Sequence, residues 1–427
     1  MNRIILVGNG FDLAHNLKTS YNDFLNDYWA NWLKLLKNDT RQDVPDGLCT
    51  FSINHRYSDN WHSLLYRRRH ITTIDQIFTM INDNADDFSL SKTPFFQEIN
   101  KIAQSVNWVD IEGEYYRFLI GIVLGKISTY GKSENITAVS VNNELKMIQT
   151  KLTEYLSRIQ AQNKDEVIIN GDIMECMMAP LCAKEIAIEA QKAWIDFINR
   201  RLDDDSWKDR IKIRKPLEFG ERLQKVNDFK KVWGDQIDGM GIESIEGGNL
   251  PPDLLYPDRT MLLNFNYTNT ADLYMPDDEG EFPVNHIHGS LDKPDSVIFG
   301  YGDELDNKYQ EISNLNNNEL LKNMKSIRYL ESDNYRNMLT FIESAPYQIY
   351  IMGHSCGISD RTLLNTLFEH PNCVSIKPFY HQKADGQDNY IEIVQNISRN
   401  FNDPKKMRDR VVNKTYCQPL PQYPIVK

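Results

Sequence analysis

The segment Ile4-Ile-Leu-Val-Gly-Asn-Gly-Phe-Asp12 changes character within a few residues. A short β-branched apolar run, typical of a buried strand over residues 3–8, meets two closely spaced glycines and then a helical pattern. Glycines in such a turn let backbone N–H groups approach a ligand, and the start of the following helix attracts phosphate. The complete G-x-G-x-x-G pattern is absent, so a tight turn that binds nothing stays open, as does a role for Asp12 as a helix cap. The residues predicted to bind a nucleotide cofactor are Gly8, Asn9, Gly10, Phe11 and Asp12.

Further short apolar segments appear much later in the chain, and they define the fold class. They are residues 261–267, 284–288, 296–299, 347–352 and 374–379, with 390–394 as a further candidate. Helical spacing predominates over residues 20–160 and 182–202, and again over 306–344. One early strand and several late strands, separated by helices, favour an α/β protein: a Rossmann-like parallel sheet with large helical insertions.

The same pattern predicts the domain boundaries. Glycine, proline and aspartate are frequent near residues 236–259, which therefore indicate a linker loop. The predicted α/β core comprises residues 1–20 and 260–400, and the predicted helical insertions comprise 21–235 and 306–344, with 401–427 as a C-terminal extension.

Polar side chains follow two of the late strands. Asn266 lies in Asn264-Phe-Asn-Tyr-Thr268, and strand alternation predicts that His286 and His288 share one face of the next segment. Ligands of open parallel sheets bind beyond the carboxyl ends of the strands. There an amide can hydrogen-bond a sugar hydroxyl or hold a water, and a histidine can act as general base. A capped turn at Asn266 and a core or metal-ligating role for the histidines stay open.

The segment Gly353-His-Ser-Cys-Gly357 has the G-x-S-x-G form of a hydrolase nucleophile elbow. In an elbow the helix starts directly after the serine, whereas here the helix cap is delayed to about Asp360. The histidine of a triad would be His370, with Asp360 or Glu369 as an acid very near it in sequence, or His381, for which no further acid appears. A glycine turn in which Gly353 and Ser355 contact a ribose or phosphate is the favoured interpretation.

The composition of the 427-residue chain narrows the class of function. Lys and Arg number 48 against 60 Asp and Glu, and the net charge of −12 opposes non-specific nucleic-acid binding. The basic stretches 67–70 and 208–215 lack interleaved aromatic residues, so solvated faces are favoured over a nucleic-acid groove. The six cysteines contain no C-x-x-C pair, so no metal site and no zinc are expected. No apolar run reaches the ~20 residues of a membrane span and no signal peptide is visible, so a cytoplasmic location is expected.

Taken in order, these segments resemble the nucleotide pocket of the sirtuin-like fold. Gly8-Asn-Gly10 is similar to its first glycine motif, and Asn266-Tyr267 to its Asn-Ile/Tyr-Asp motif. His288-Gly-Ser290 is similar to its His-Gly motif, and Gly353-His-Ser355 to its late Gly-Thr/His-Ser strand end. Two departures matter: Thr268 replaces the aspartate of that family, and the zinc-binding cysteine pairs are missing. The second departure argues against a protein deacetylase and leaves nucleotide chemistry.

A more specific resemblance covers nearly the whole chain. Leu6-Val-Gly-Asn-Gly-Phe-Asp-Leu-Ala-His15, followed by Lys18-Thr-Ser-Tyr-Asn-Asp-Phe24, resembles the bacterial AbiH family of phage abortive-infection proteins. Trp108-Val-Asp-Ile-Glu112, His286-Ile-His-Gly289 and Phe299-Gly-Tyr-Gly-Asp303 strengthen the resemblance. It implies a cytoplasmic antiphage effector in which the helical insertion regulates access or assembly.

Together the two resemblances imply an NAD glycohydrolase, which hydrolyses the nicotinamide–ribose bond of NAD. In that activity Asn266 would position the water or the ribose, and His288 would be the general base. The turn at Gly8–Gly10 would hold the pyrophosphate, and Ser355 would make a secondary contact. Because constant depletion of NAD would kill the host, a phage-derived activator is expected, and a homo-oligomer is expected as well.

Alternatives to this activity stay open. One is a nucleotide-binding sensor or scaffold without turnover, which Thr268 favours. Another is a metal-dependent nuclease that uses His286, His288 and Asp303. A pair of carboxylates at Asp110 and Glu114, one helical turn apart, indicates a metal site or, more simply, a network on a helix face.

Overall fold

The computed structural model describes residues 1–38, 43–53, 74–85, 88–106, 110–125, 129–130, 134–164, 166–204, 208, 218–233, 250–274 and 284–423. Its internal contacts define two compact units. The parallel-sheet unit comprises residues 1–16, 165–290 and 329–427, and the insertion unit comprises residues 17–164 and 291–328. This division differs from the predicted boundaries, since residues 165–235 of the predicted 21–235 insertion belong to the parallel-sheet unit.

The strands within the described ranges are short, as is usual for globular proteins. They are β1 (Asn2–Val7), β2 (Asp43–Pro45), β3 (Cys49–Ile53), β4 (Phe88–Lys92), β5 (Thr129–Tyr130), β6 (Glu134–Asn135), β7 (Thr260–Asn264), β8 (Asn285–His286), β9 (Tyr347–Met352) and β10 (Cys373–Phe379).

Helices connect and cover these strands. They are α1 (Asn9–Ala14), α2 (Tyr21–Asn38), α3 (Ile74–Asp83), α4 (Pro94–Val106), α5 (Ile111–Val123), α6 (Ala138–Gln162), α7 (Gly171–Met177), α8 (Gln191–Asp203), α9 (Phe219–Trp233), α10 (Asn307–Asn314), α11 (Asn318–Leu321), α12 (Lys325–Arg328), α13 (Asn334–Ser344), α14 (Arg361–Glu369), α15 (Tyr390–Arg399) and α16 (Pro404–Arg410).

The parallel-sheet unit is built on five parallel strands in the order β10-β9-β1-β7-β8. Ile4 of the central strand β1 pairs with Met261 of β7 on one side and with Ile349 of β9 on the other. Strands β1 and β9 are buried along their whole length, as expected of parallel strands covered on both faces. The strand order reverses between β1 and β9, so their carboxyl ends form the switch point at which ligands of such sheets bind.

The parallel sheet confirms the prediction of an α/β protein with many helices, but two predicted strands are wrong. Residues 296–299 do not form a strand: a 3₁₀ turn covers Pro294–Ser296, and residues 297–299 are buried coil. Residues 390–394 begin α15, where Tyr390, Ile393 and Ile397 are buried at helical spacing while Ile391 is 60% exposed. The apolar pattern there fits both periods, and packing selects the helix.

The insertion unit contains a small antiparallel sheet, β2-β3-β4, which the helical pattern of this region did not predict. Its strands are three to five residues long and too short for periodicity to identify. Aromatic packing forms much of the core around it: the Trp29 ring stacks on Phe96 at 6.0 Å and meets Trp32 edge-on at 5.5 Å.

Candidate functional site

The loop after β1 and the loop after β9 pack backbone against backbone at the carboxyl edge of the sheet. Gly10 donates its N–H to the Gly353 carbonyl at 2.9 Å, and Gly8 donates its N–H to the Met352 carbonyl at 3.2 Å. A Cβ atom on Gly10 would lie 2.8 Å from Gly353 Cα, and one on Gly8 would overlap His354 Cα. Gly353 has a φ of +80°, which favours glycine. These glycines therefore have a packing role that brings His354 against the first turn.

Other groups of the first turn are also engaged within the protein. Phe11 donates its N–H to the Gly8 carbonyl at 2.8 Å, which begins α1, and Asn266 Nδ2 donates to the same carbonyl at 3.0 Å. The Phe11 ring is buried in the core rather than placed at the edge. Asn9 and Ser355 are exposed and form the rim of the site. The structure thus joins the β1, β7 and β9 loops at one edge.

Asp360 connects two histidines that come from different loops. Asp360 Oδ1 lies 3.2 Å from His288 Nε2, and Asp360 Oδ2 lies 3.5 Å from His354 Nε2. His288 Nε2 also lies 3.1 Å from the Tyr329 hydroxyl. All four side chains are buried. The residue predicted as general base is therefore a member of a buried hydrogen-bonded group, which we call the His–Asp–His group (His288, Asp360 and His354).

The contacts around this group favour one tautomer for each histidine ring. Cys356 donates its backbone N–H to His354 Nδ1 at 3.0 Å, so the neutral His354 ring carries its proton on Nε2, facing Asp360. A carboxylate beside His288 Nε2 favours a proton on that nitrogen as well. The basic lone pair of neutral His288 is then on Nδ1. This is the arrangement by which a carboxylate prepares a histidine to accept a proton.

Aromatic rings pack around the His–Asp–His group. The Phe265 ring lies 4.1 Å from the His354 ring and 5.2 Å, edge-on, from the His288 ring. On the other side, the Tyr329 ring is parallel to His288 at 6.1 Å and stacks on Tyr335 at 5.3 Å. Rings of this kind exclude water and lower the local dielectric, which strengthens the electrostatic interaction between the Asp360 carboxylate and the two histidine rings.

Asp12 lies inside α1 and does not cap it. The N-cap of α1 is Gly8, with no side-chain cap, while the Asp12 carboxylate is 1% exposed and accepts a hydrogen bond from Thr268 Oγ1 at 2.7 Å. Burial raises the pKa of the Asp12 carboxyl to about 6, although the hydrogen bond from Thr268 and the nearby polar side chains of Thr270 and Asn266 favour its ionised form. The threonine that departs from the sirtuin motif therefore holds a carboxylate supplied by α1.

The prediction that His286 and His288 share one strand face is wrong, because β8 ends at His286. His286 Nε2 lies 3.1 Å from the Asp272 carboxylate, and its Nδ1 lies 3.4 Å from Asn264 Nδ2. His288 lies in the following turn, where Gly289 has a φ of +79° and redirects the chain. The two histidines therefore have separate partners.

No nucleophile elbow forms at Ser355. The residues with positive φ are Gly353 and Cys356 rather than the serine, and α14 begins only at Arg361. His370 lies at the opposite edge of the sheet, just before β10, with its Nε2 3.3 Å from Glu343. Asp360 stands at the N-cap position of α14 but makes no cap hydrogen bond, since its carboxylate faces the histidines.

Two motifs of the AbiH resemblance meet inside the insertion unit. Glu112 Oε1 accepts the Gly300 N–H at 3.0 Å, and Glu112 Oε2 lies 3.0 Å from Lys325 Nζ, with the lysine fully buried. Asp110 caps α5 by accepting the Gly113 N–H at 3.0 Å, and the Glu114 carboxylate, in the first turn of the same helix, forms an ion pair with Arg117. Trp108 lies outside the described residues.

The functional residues that sequence reasoning missed are Asp360, His354 and Tyr329. The sequence indicates Asp360 as a helix cap or as a candidate triad acid for His370, but it gives no sign that this residue contacts His288. Tyr329 lies in a helical segment with no motif, and only its contact with His288 identifies it.

Other sequence predictions concern metals, membranes and basic stretches. In the described ranges, no group of three or more His, Cys, Asp or Glu side chains is arranged to hold a metal ion. None of the helices in those ranges combines the length and the apolar character needed to cross a bilayer. Residues 67–70, and all of 208–215 except Lys208, lie outside the described residues.

Fold and site together define an α/β protein with a buried His–Asp–His group at the carboxyl edge of a five-stranded parallel sheet. A family model described as Bacteriophage abortive infection AbiH matches residues 4–381. The chain therefore belongs to the AbiH family, whose description indicates a function in abortive infection by phage. No curated protein and no solved structure matches the chain.

Proposed function

We propose that this AbiH protein is an abortive-infection effector that binds NAD at the carboxyl edge of its sheet, in the manner of a sirtuin-like fold, and hydrolyses the nicotinamide–ribose bond. The observation that carries the proposal is the contact of 3.2 Å between Asp360 Oδ1 and His288 Nε2. A buried carboxylate that holds one ring nitrogen prepares the other nitrogen to act as a general base. The pair also lies at the edge of the sheet where ligands of this fold class bind.

The proposed reaction assigns one proton transfer to His288. A water oxygen forms a bond to C1′ of the ribose, while the bond between C1′ and the nicotinamide nitrogen breaks and its electron pair goes to the ring. His288 Nδ1 accepts the proton of that water, and Asp360 stabilises the resulting imidazolium. The products are ADP-ribose and nicotinamide. Asn266 acts as a positioning residue, since its amide ties the β7 loop to the Gly8 carbonyl.

The rim residues would contact the diphosphate and the ribose. Asn9 and Ser355 are exposed there, and Gly10 and Gly353 are half-buried beside them. The His–Asp–His group beneath the rim is buried, which supports the expected need for a phage-derived activator that opens the site. Assembly into a homo-oligomer stays a prediction.

The test uses the full chain in bacterial cells challenged with phage, with NAD, nicotinamide and ADP-ribose quantified by chromatography. We expect NAD to fall after infection in cells with the wild-type chain and to stay constant with His288→Ala. The matched control is His286→Ala, because His286 is at the same edge but contacts Asp272. Constant NAD in infected cells that are nevertheless protected by the wild-type chain contradicts the proposal.

A second candidate is a nucleotide sensor without turnover. It is favoured by the engagement of the Gly8 and Gly10 N–H groups within the protein, which leaves them unavailable to the pyrophosphate in this conformation. Equilibrium binding of NAD to the purified chain, without release of nicotinamide even in lysate from infected cells, would distinguish this function from hydrolysis. A nuclease would instead degrade DNA or RNA in a metal-dependent manner.

A further inference from the structure

Asp12 presents a buried carboxylate whose hydrogen bonding is incomplete. Its Oδ2 accepts the Thr268 hydroxyl at 2.7 Å, whereas its Oδ1 has no hydrogen-bond partner in the described part of the chain. The residue is 1% exposed, so bulk water does not satisfy that oxygen. A buried acceptor without a partner costs free energy, and native proteins rarely keep one without a functional reason.

The charge of Asp12 is also uncompensated. Among the described residues, no lysine, arginine or histidine forms an ion pair with it, and the polar groups that act on it are the neutral side chains of Thr268, Thr270 and Asn266. These neighbours favour the ionised form without neutralising it. The other buried carboxylate of this edge, Asp360, differs because it has two histidines beside it. An isolated buried anion of this kind is favourable only when a cation arrives.

We propose that the Asp12 carboxylate is the counter-charge for a cationic ligand group, which in NAD is the pyridinium ring and, as the glycosidic bond breaks, the electron-poor ribose carbon. This inference rests on the proposed function. When the electron pair of the breaking bond goes to the nicotinamide nitrogen, the positive charge moves onto the ribose until water oxygen bonds to C1′. A fixed anion at that position stabilises charge that develops in the transition state.

The arrangement predicts discrimination between the two redox forms of the dinucleotide. NADH has the same adenosine, diphosphate and ribose groups as NAD, but its dihydropyridine ring is neutral. A charge-assisted contact with Asp12 should therefore favour NAD over NADH by about tenfold or more. A site that recognises only the adenosine and diphosphate groups would bind the two forms equally.

Isothermal titration calorimetry with NAD and NADH measures this preference in the full-length His288→Ala chain, in which turnover is blocked. We expect the preference for NAD to fall to about threefold or less when Asp12→Asn is added, since asparagine keeps the shape and the Thr268 hydrogen bond but removes the charge. The control is Asp272→Asn in the same background, because Asp272 is 43% exposed and contacts His286. That control should keep the preference.

Activity supplies an independent measurement. In the otherwise wild-type chain, Asp12→Asn should lower NAD cleavage about 10²-fold or more, with the thermal unfolding curve showing a folded protein. If the chain cleaves NAD and the Asp12→Asn variant keeps both the preference and the rate, this inference is wrong while the proposed function holds. If the wild-type chain neither binds nor cleaves NAD, both are wrong.

Discussion

Asp360 Oδ1 lies 3.2 Å from His288 Nε2, although 72 residues separate the two in the chain and β9 lies between them. The contact forms because β8 and β9 run parallel and their following loops reach the same edge of one sheet. A carboxylate so placed controls which ring nitrogen carries the proton, and it stabilises the ring once a second proton arrives.

Replacing Asp360 with asparagine should therefore impair chemistry more than folding. The amide keeps the volume of the side chain but presents neutral groups to both histidines, so the protonated His288 loses its stabilisation. We expect NAD cleavage to fall about 10²–10⁴-fold, the range of general-base assistance, with little change in NAD affinity. Steady-state kinetics on the activated protein measure both quantities. An unchanged rate would show that Asp360 has a structural role only.

The ionised Asp12 carboxylate should make the folded protein less stable at neutral pH than at acidic pH, where the carboxyl is protonated. Burial raises its pKa from 3.8 to about 6 in the folded state, so the folded protein binds more protons than the unfolded chain between those values. Ionisation of Asp12 therefore opposes folding, and the loss of folding free energy grows as the pH rises from about 4 to about 6. The difference between the folded and unfolded pKa values of Asp12 corresponds to about 3 kcal/mol of unfolding free energy.

Asp12→Asn should accordingly raise the free energy of unfolding by up to about 3 kcal/mol at pH 8 and by much less near pH 4. Urea denaturation of the variant and the wild-type chain at the two pH values measures the difference. A variant that is less stable than the wild-type chain at pH 8 would show that the ionised carboxylate serves the fold. A gain in stability with a loss of activity is the combination expected of a functional residue.

Gly353 should be far less tolerant of substitution than another glycine with the same backbone conformation. Gly353 and Gly386 have φ values of +80° and +85°, but a Cβ on Gly353 would overlap the Phe11 N atom, whereas Gly386 has open space around it. Gly386→Ala should lower the free energy of unfolding by about 1 kcal/mol, because only the left-handed backbone conformation opposes the new side chain. Gly353→Ala should cost about 2–4 kcal/mol because overpacking is added. Equal costs in thermal unfolding would contradict the proposed packing of the two loops.

The sequence predicts the central strands of the parallel sheet well, but it does not predict the side-chain contacts between the loops that follow them. Strand β9 has the predicted bounds, and the bounds of β1 differ from the prediction by one residue at each end. The prediction succeeds because a short β-branched run followed by glycine is typical of a buried strand. Residues 390–394 fit both the strand and the helix period, so only packing of Ile393 and Ile397 decides between them. The partner of His288 was not predictable, since a pairing between loops depends on the strand order, which no local pattern contains.

In the insertion unit, Glu112 and Lys325 form a buried ion pair at 3.0 Å. Lys325→Met leaves the Glu112 carboxylate buried without its cation, so the free energy of unfolding should fall by about 3–5 kcal/mol. The control is Lys322→Met: Lys322 is 54% exposed and pairs with Glu319 on the surface, so its loss should cost less than about 1 kcal/mol.

A double variant separates the charge from the packing. Glu112→Gln added to Lys325→Met removes the unpaired anion while the amide can still accept the Gly300 N–H, so part of the lost stability should return. Urea denaturation of the single and double variants gives the coupling between the two residues. The opposite result is a double variant that is less stable than Lys325→Met by the same free energy that Glu112→Gln removes from the wild-type chain. That result would show that the two side chains act independently and that other contacts hold residues 299–303 to α5.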